Sequence, residues 1–202
     1  MKNCYLFLIN TCLMLSSIFA NTEISVDLVS RYVWRGQDYG NAAAVQPNFK
    51  KNIGSFSLGA WGSWSVSPGP ADFSGNECDL YISTKIGPAS LVLTDYFFPS
   101  YNGSDSLFNF DKHTIEVSTA FDIKQSSLLF AAYILGDDDL NSIYLEYNYK
   151  MLTIGIGNGS YTVSGDLMPI SIGLNAKRDN LSASYIINPD SQTSFLVFGI
   201  NL

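Results

Sequence analysis

After its first twenty residues the sequence contains no apolar run of about 18 residues, the length a helix needs to cross a bilayer, so a helical membrane span is excluded there. Cysteine is scarce. Of three, Cys4 and Cys12 lie within the first twenty residues and only Cys78 lies beyond them. One thiol makes no internal disulfide, so cross-links do not hold the remainder together. Histidine occurs once, at His113. A hydrolase would place a nucleophilic serine against it, whereas its neighbours on one strand face are Asp111 and Ile115; His113 is expected at a loop edge, and the chain is expected not to be an enzyme. Basic side chains are also few, 11 against 18 acidic, which argues against nucleic acid or an anionic lipid surface as the main partner. Asp137, Asp138 and Asp139 lack the spaced ligands and sixth-position glycine of a calcium loop, and no helix follows the Gly-x-Gly at Gly155. No metal set and no cofactor are therefore expected.

What is present begins with a leader. Residues 1–20 carry Lys2, a short apolar stretch from Tyr5 to Leu15 and a small final residue, Ala20, the pattern of a secretory signal peptide cleaved after Ala20. A lipoprotein alternative would use Cys12, but Thr11 is a poor residue before a lipidated cysteine. Removing Lys2 from the 11 basic side chains leaves 10 against 18 acidic ones.

Beyond the leader the dominant signal is a period of two. From Ile24 to Gly36, Ile24, Val26, Leu28, Ser30, Tyr32 and Trp34 alternate with Ser25, Asp27, Val29, Arg31, Val33 and Arg35. The second set carries charge at near-regular spacing, and the first ends in the two amphipathic aromatics that a lipid-facing strand places at headgroup level. The expectation is one strand across 24–36, apolar face to lipid and charged face to a lumen. Strand-length segments with the same alternation recur at 44–50, 55–65, 77–86, 113–123, 141–150, 152–157, 170–177, 181–187 and 194–202; 89–98 is a strand apolar on both faces, where only Asp95 suggests the inward side, and 127–135 is a strand whose facing the pattern leaves open. Pro47 weakens the second, because it cannot donate to a ladder. The connections sort by length: short ones near 51–54, 87–88, 124–126, 151 and 178–180, longer ones between them, as periplasmic turns and outer loops do in bacterial barrels. The fold class is thus all-β: a single antiparallel transmembrane β-barrel of about twelve strands over residues 21–202. A lipocalin-like soluble barrel is the competing architecture. The last strand ends on Leu196, Phe198, Ile200 and Leu202, like the terminal strand by which outer-membrane barrels are recognised for insertion. Outer-membrane lipid and the barrel-insertion machinery are the partners this implies.

Several short motifs carry a resemblance. Ser30-Arg31-Tyr32 with Trp34-Arg35-Gly36, Gln46-Pro47, Trp61-Gly62-Ser63 after Gly59, Glu77 with Asp79, and Thr94-Asp95-Tyr96 with Pro99 resemble the TorF-type porin family, best across roughly 24–100. Gly136-Asp137-Asp138, Tyr144 with Glu146, and Asn188-Pro189 before Phe198-Gly199 look like its later blocks. The resemblance implies an outer-membrane barrel of unassigned substrate and brings no catalytic residue with it.

The residues themselves suggest a lumen lined by Asp27, Arg31, Arg35, Glu77, Asp79, Asp95, Glu116 and Glu146. Such charges must be paired or hydrated in a narrow barrel, and Arg31 and Arg35 are expected to gather carboxylates drawn from Glu77, Asp79, Asp95, Glu116 and Glu146. Trp61, on the polar face, either stacks on a solute or fills the lumen. Two functions follow: a porin or channel for small polar solutes, or a closed barrel that anchors acidic outer loops for a partner. Twelve strands lie between the filled eight-strand barrel and the open sixteen-strand channel, so size does not decide.

Overall fold

The structure is a computed structural model and describes residues 21–67, 75–99, 107–137 and 141–202. The leader at residues 1–20 and the acidic pair Asp138 and Asp139 lie outside the described residues.

Twelve strands form a closed antiparallel barrel: β1 (Thr22–Val29), β4 (Ala44–Ile53), β5 (Phe56–Ser65), β6 (Glu77–Ile86), β7 (Ala89–Phe97), β8 (His113–Ile123), β9 (Ser126–Leu135), β10 (Ile143–Tyr149), β11 (Leu152–Gly157), β12 (Met168–Arg178), β13 (Leu181–Asn188) and β14 (Thr193–Asn201). Two further strands, β2 (Tyr32–Trp34) and β3 (Gln37–Gly40), pair only with each other. Each wall strand pairs with its sequence neighbour, and β14 closes the ring on β1 through Asp27↔Asn201 and Leu28↔Ile200. Among the described residues no helix is long and apolar enough to cross a membrane.

The alternation fixes which side faces out. Ile24, Phe49, Leu58, Leu80, Leu145 and Phe198 stand exposed on the barrel exterior, while their neighbours in sequence point to the lumen. Pro47 is accommodated where the β4–β5 ladder has no partner for Gln46 or Pro47, so its missing N–H breaks no pairing. Tight turns join β4 to β5, β6 to β7, β8 to β9, β10 to β11 and β12 to β13, all at the end where Thr22 and Asn201 lie. The longer connections cluster at the other end.

One span departs from the sequence expectation. Residues 24–36 are not one strand. β1 ends at Val29, where Ser30 N–H reaches Phe198 O at the rim, and the chain then turns into the lumen as the β2–β3 hairpin. Its tip is the two-residue turn Arg35-Gly36, with φ of 51° and 80°, between the paired residues Trp34 and Gln37. Positive φ at both turn positions is the geometry whose twist matches a tight hairpin. Tyr32 and Trp34 therefore do not face lipid. Tyr32 is buried, and Trp34 packs on Tyr39, Tyr96 and Tyr161 inside the barrel.

Candidate functional site: a hairpin docked in the lumen

The hairpin is held at its tip by charge. Arg35 forms a bidentate pair with Glu116 on β8, Nη1 to Oε2 at 2.5 Å and Nη2 to Oε1 at 3.0 Å. The Tyr161 hydroxyl donates to the same Glu116 Oε2 at 2.6 Å and accepts from Arg35 Nη1 at 2.8 Å; Tyr96 donates to Oε1 at 3.3 Å. The guanidinium lies 4.2 Å from the Trp34 ring centre and 4.4 Å from that of Tyr144. Guanidinium suits this place because its fork matches a carboxylate while its faces tolerate aromatic rings. Glu116 is 1% exposed, so the pair is desolvated and every carboxylate oxygen is used.

Main-chain contacts fix the rest. Asn188 donates to Gly36 O at 3.1 Å and Gln37 to Tyr161 O at 2.6 Å. Gly36 comes so close to β12 that an added Cβ would stand 1.9 Å from Ile170 O. At the base, Arg31 pairs with Asp38 through Nε at 2.9 Å and Nη2 at 2.8 Å, donates to Asn41 Oδ1 at 2.7 Å and lies over Phe195. On the opposite side Tyr32 donates to Glu77 Oε2 at 2.6 Å and packs its ring on Trp61, 5.5 Å between centres.

The structure thus brings Arg35, Glu77, Asp79 and Glu116 together around the hairpin. Asp27 and Glu146 face the lumen apart from it: Asp27 accepts from Asn201, and Glu146 from Tyr144 and Asn148. Arg31 is at the hairpin base with Asp38, not with any of the five carboxylates expected for it. Asp95 does not join the network. Leu91 and Leu93 on β7 point outward, so parity carries Asp95 outward too, where it meets His113 Nδ1 at 2.7 Å. His113 stands at a loop edge, as the first residue of β8, and is buried there, stacked on Phe97 and joined through Nε2 to Leu107 O. Trp61 faces the lumen as expected, and the ring against it is Tyr32 of the hairpin. Asp38 and Tyr161 were not singled out from sequence, and Asn188 was named only within a block of the family resemblance. The available signal was the Arg35-Gly36 dipeptide between two alternating runs, a hairpin pattern that a single long strand obscures.

Burial follows the hairpin. Lumen-facing Ser63, Glu77, Asp79, Glu116 and Tyr144, level with it, are buried, whereas Glu23, Ser182 and Asn201 near the tight turns are exposed. Lumen-facing side chains are buried at the level of the hairpin and become half-buried, then exposed, toward the tight turns. Beside the hairpin at its mouth lies a cavity of about 480 Å³, lined among others by Gln37, Asp38, Thr162, Asp190, Thr193 and Phe195. Among the described residues no three His, Cys, Asp or Glu side chains gather as a metal-holding group.

A closed twelve-strand antiparallel barrel, apolar outside and polar inside, with its first long connection folded inward, defines the class of protein. The chain belongs to the family described as "Bacterial protein of unknown function (Gcw_chp)", whose model matches residues 17–186. A search of curated proteins found no match.

Proposed function

We propose that the protein is an outer-membrane barrel of the porin type that admits small polar solutes, with the β2–β3 hairpin as its constriction. The observation that carries this is the division of the lumen: less buried side chains at the tight-turn end, an occluded half at the other, and a cavity of about 480 Å³ beside the hairpin, with Arg31, Asp38 and Asp190 in its lining, where a solute would enter. The exposed apolar exterior fits lipid, the sorting of short and long connections fits insertion with the tight turns on the periplasmic side, and β14 offers the insertion machinery an alternating terminal strand. A leader at 1–20 would deliver it to the envelope. The resemblance to TorF-type porins points the same way. No chemical reaction is part of this function.

The Arg35–Glu116–Tyr161 cluster favours one alternative, a closed barrel that anchors its outer connections for a partner. Planar-bilayer recording separates the two. The constricted pore predicts small conductance steps for the mature chain and larger ones when residues 31–41 are replaced by a short glycine-serine linker. Silence from both folded proteins would reject the pore and leave the anchor.

A further inference from the structure

Two lumen carboxylates beneath the hairpin lack a cation. Glu77 and Asp79 stand on the same face of β6, 2% and 5% exposed, close enough to interact directly. Tyr32 donates to Glu77, and the Phe97 main chain donates to Asp79, but Asp79 Oδ1 is buried and accepts no hydrogen bond among the described residues. Among the described residues, Arg31, Arg35 and Lys50 pair with Asp38, Glu116 and Glu23, and none of these three cations pairs with Glu77 or Asp79. A hydrogen bond joins the two carboxyls, which needs a proton on one of them, and the charge that remains is costly when held out of water without a cation.

We propose that Glu77 and Asp79 bind a hard divalent cation of the calcium class. Carboxylate oxygens are the ligands such ions take, and Asp79 Oδ1 is the free position. With two carboxylates and the remaining positions filled by water or main chain, the site would be weak, with a Kd of roughly 10⁻⁴–10⁻³ M, the range of calcium sites in extracellular modules. The ion would neutralise the pair and hold Glu77 where Tyr32 grips it, fastening the hairpin base opposite the Arg35 tip. The site stands whether or not the barrel conducts, so its test is separate from that of the pore.

Terbium is a hard-ion probe whose emission is sensitised by nearby indole and phenol rings. Trp61 is the cross-strand partner of Asp79, and Tyr32 touches Glu77. The mature chain, refolded in micelles with terbium, is expected to give saturable emission under tryptophan excitation that calcium displaces. Glu77→Gln and Asp79→Asn should abolish saturation over that concentration range. Independently of any variant, calcium should raise the wild-type unfolding temperature relative to chelator, and Asp79→Asn should remove that dependence while folding normally without the ion. No saturable emission, or a calcium effect that survives both substitutions, would overturn the proposal and leave the pair closed by a proton alone.

Discussion

At the scale of single residues, the lumen is organised by exchange between glycine and tyrosine. An added Cβ at Gly59 would meet the Tyr81 ring at 2.1 Å, at Gly155 the Tyr144 hydroxyl at 2.2 Å, and at Gly157 the Tyr161 Cβ at 2.8 Å. Alternation puts these glycines on inward faces, but the tyrosines that crowd them were not legible, because they lean across from other strands or from a connection. For Arg35, Glu116 was among the carboxylates expected as partners, but the hairpin that delivers the arginine was not expected, because alternation through Trp34 and Arg35 hid the turn. Arg35→Ala leaves Glu116 charged and unmatched in a dry site, and should lower stability by about 3–5 kcal/mol in denaturant unfolding from micelles. Arg35→Lys should recover little of it, since an ammonium cannot reproduce the fork or the contact with Trp34. If Arg35→Ala unfolded with an unchanged midpoint, the pair would not be holding the hairpin.

At the scale of elements, the wall was readable from sequence almost strand by strand, because each wall strand carries one apolar and one polar face and ends at a turn. β7 and β9 are the exceptions, with no facing that alternation settles. Ala89 to Phe98 is apolar on both faces, so Asp95 alone suggested a direction for β7 and suggested the wrong one; its partner is His113 at the start of β8, which Leu107 of the preceding connection holds in turn. The facing predicts asymmetric costs. Leu80→Arg or Leu145→Arg should destabilise folding into lipid by roughly 2–4 kcal/mol near mid-membrane, and the same change at Ser83 or Asn148 by much less. Equal costs on both faces, read by unfolding from vesicles, would contradict the inside–outside assignment. The hairpin has its own test at Gly36. Gly36→Val places a branched side chain against the Ile170 carbonyl and at φ of 80°, so the tip should be expelled while the wall, which makes no use of this residue, still closes. Heat-modifiable gel migration should then show a folded barrel, and protease should cut within 30–43, a segment resistant in the unaltered chain.

At the scale of the whole molecule, the account rests on one claim: the first long connection lies inside the barrel and fills half of it. That could not be read from composition or strand count, since twelve strands permit either a filled or an open interior. It emerges from contacts joining residues as far apart as Gly36 and Asn188. Amide hydrogen exchange of the mature chain in vesicles tests it most directly, because exchange reports local opening without altering any residue. The account predicts that a peptide covering Tyr32–Gly40 is protected to nearly the level of the wall strands, and that Glu116→Ala strips the protection from this peptide while sparing β12, β13 and β14. Exchange of Tyr32–Gly40 in the unaltered protein as fast as that of an exposed connection would contradict it.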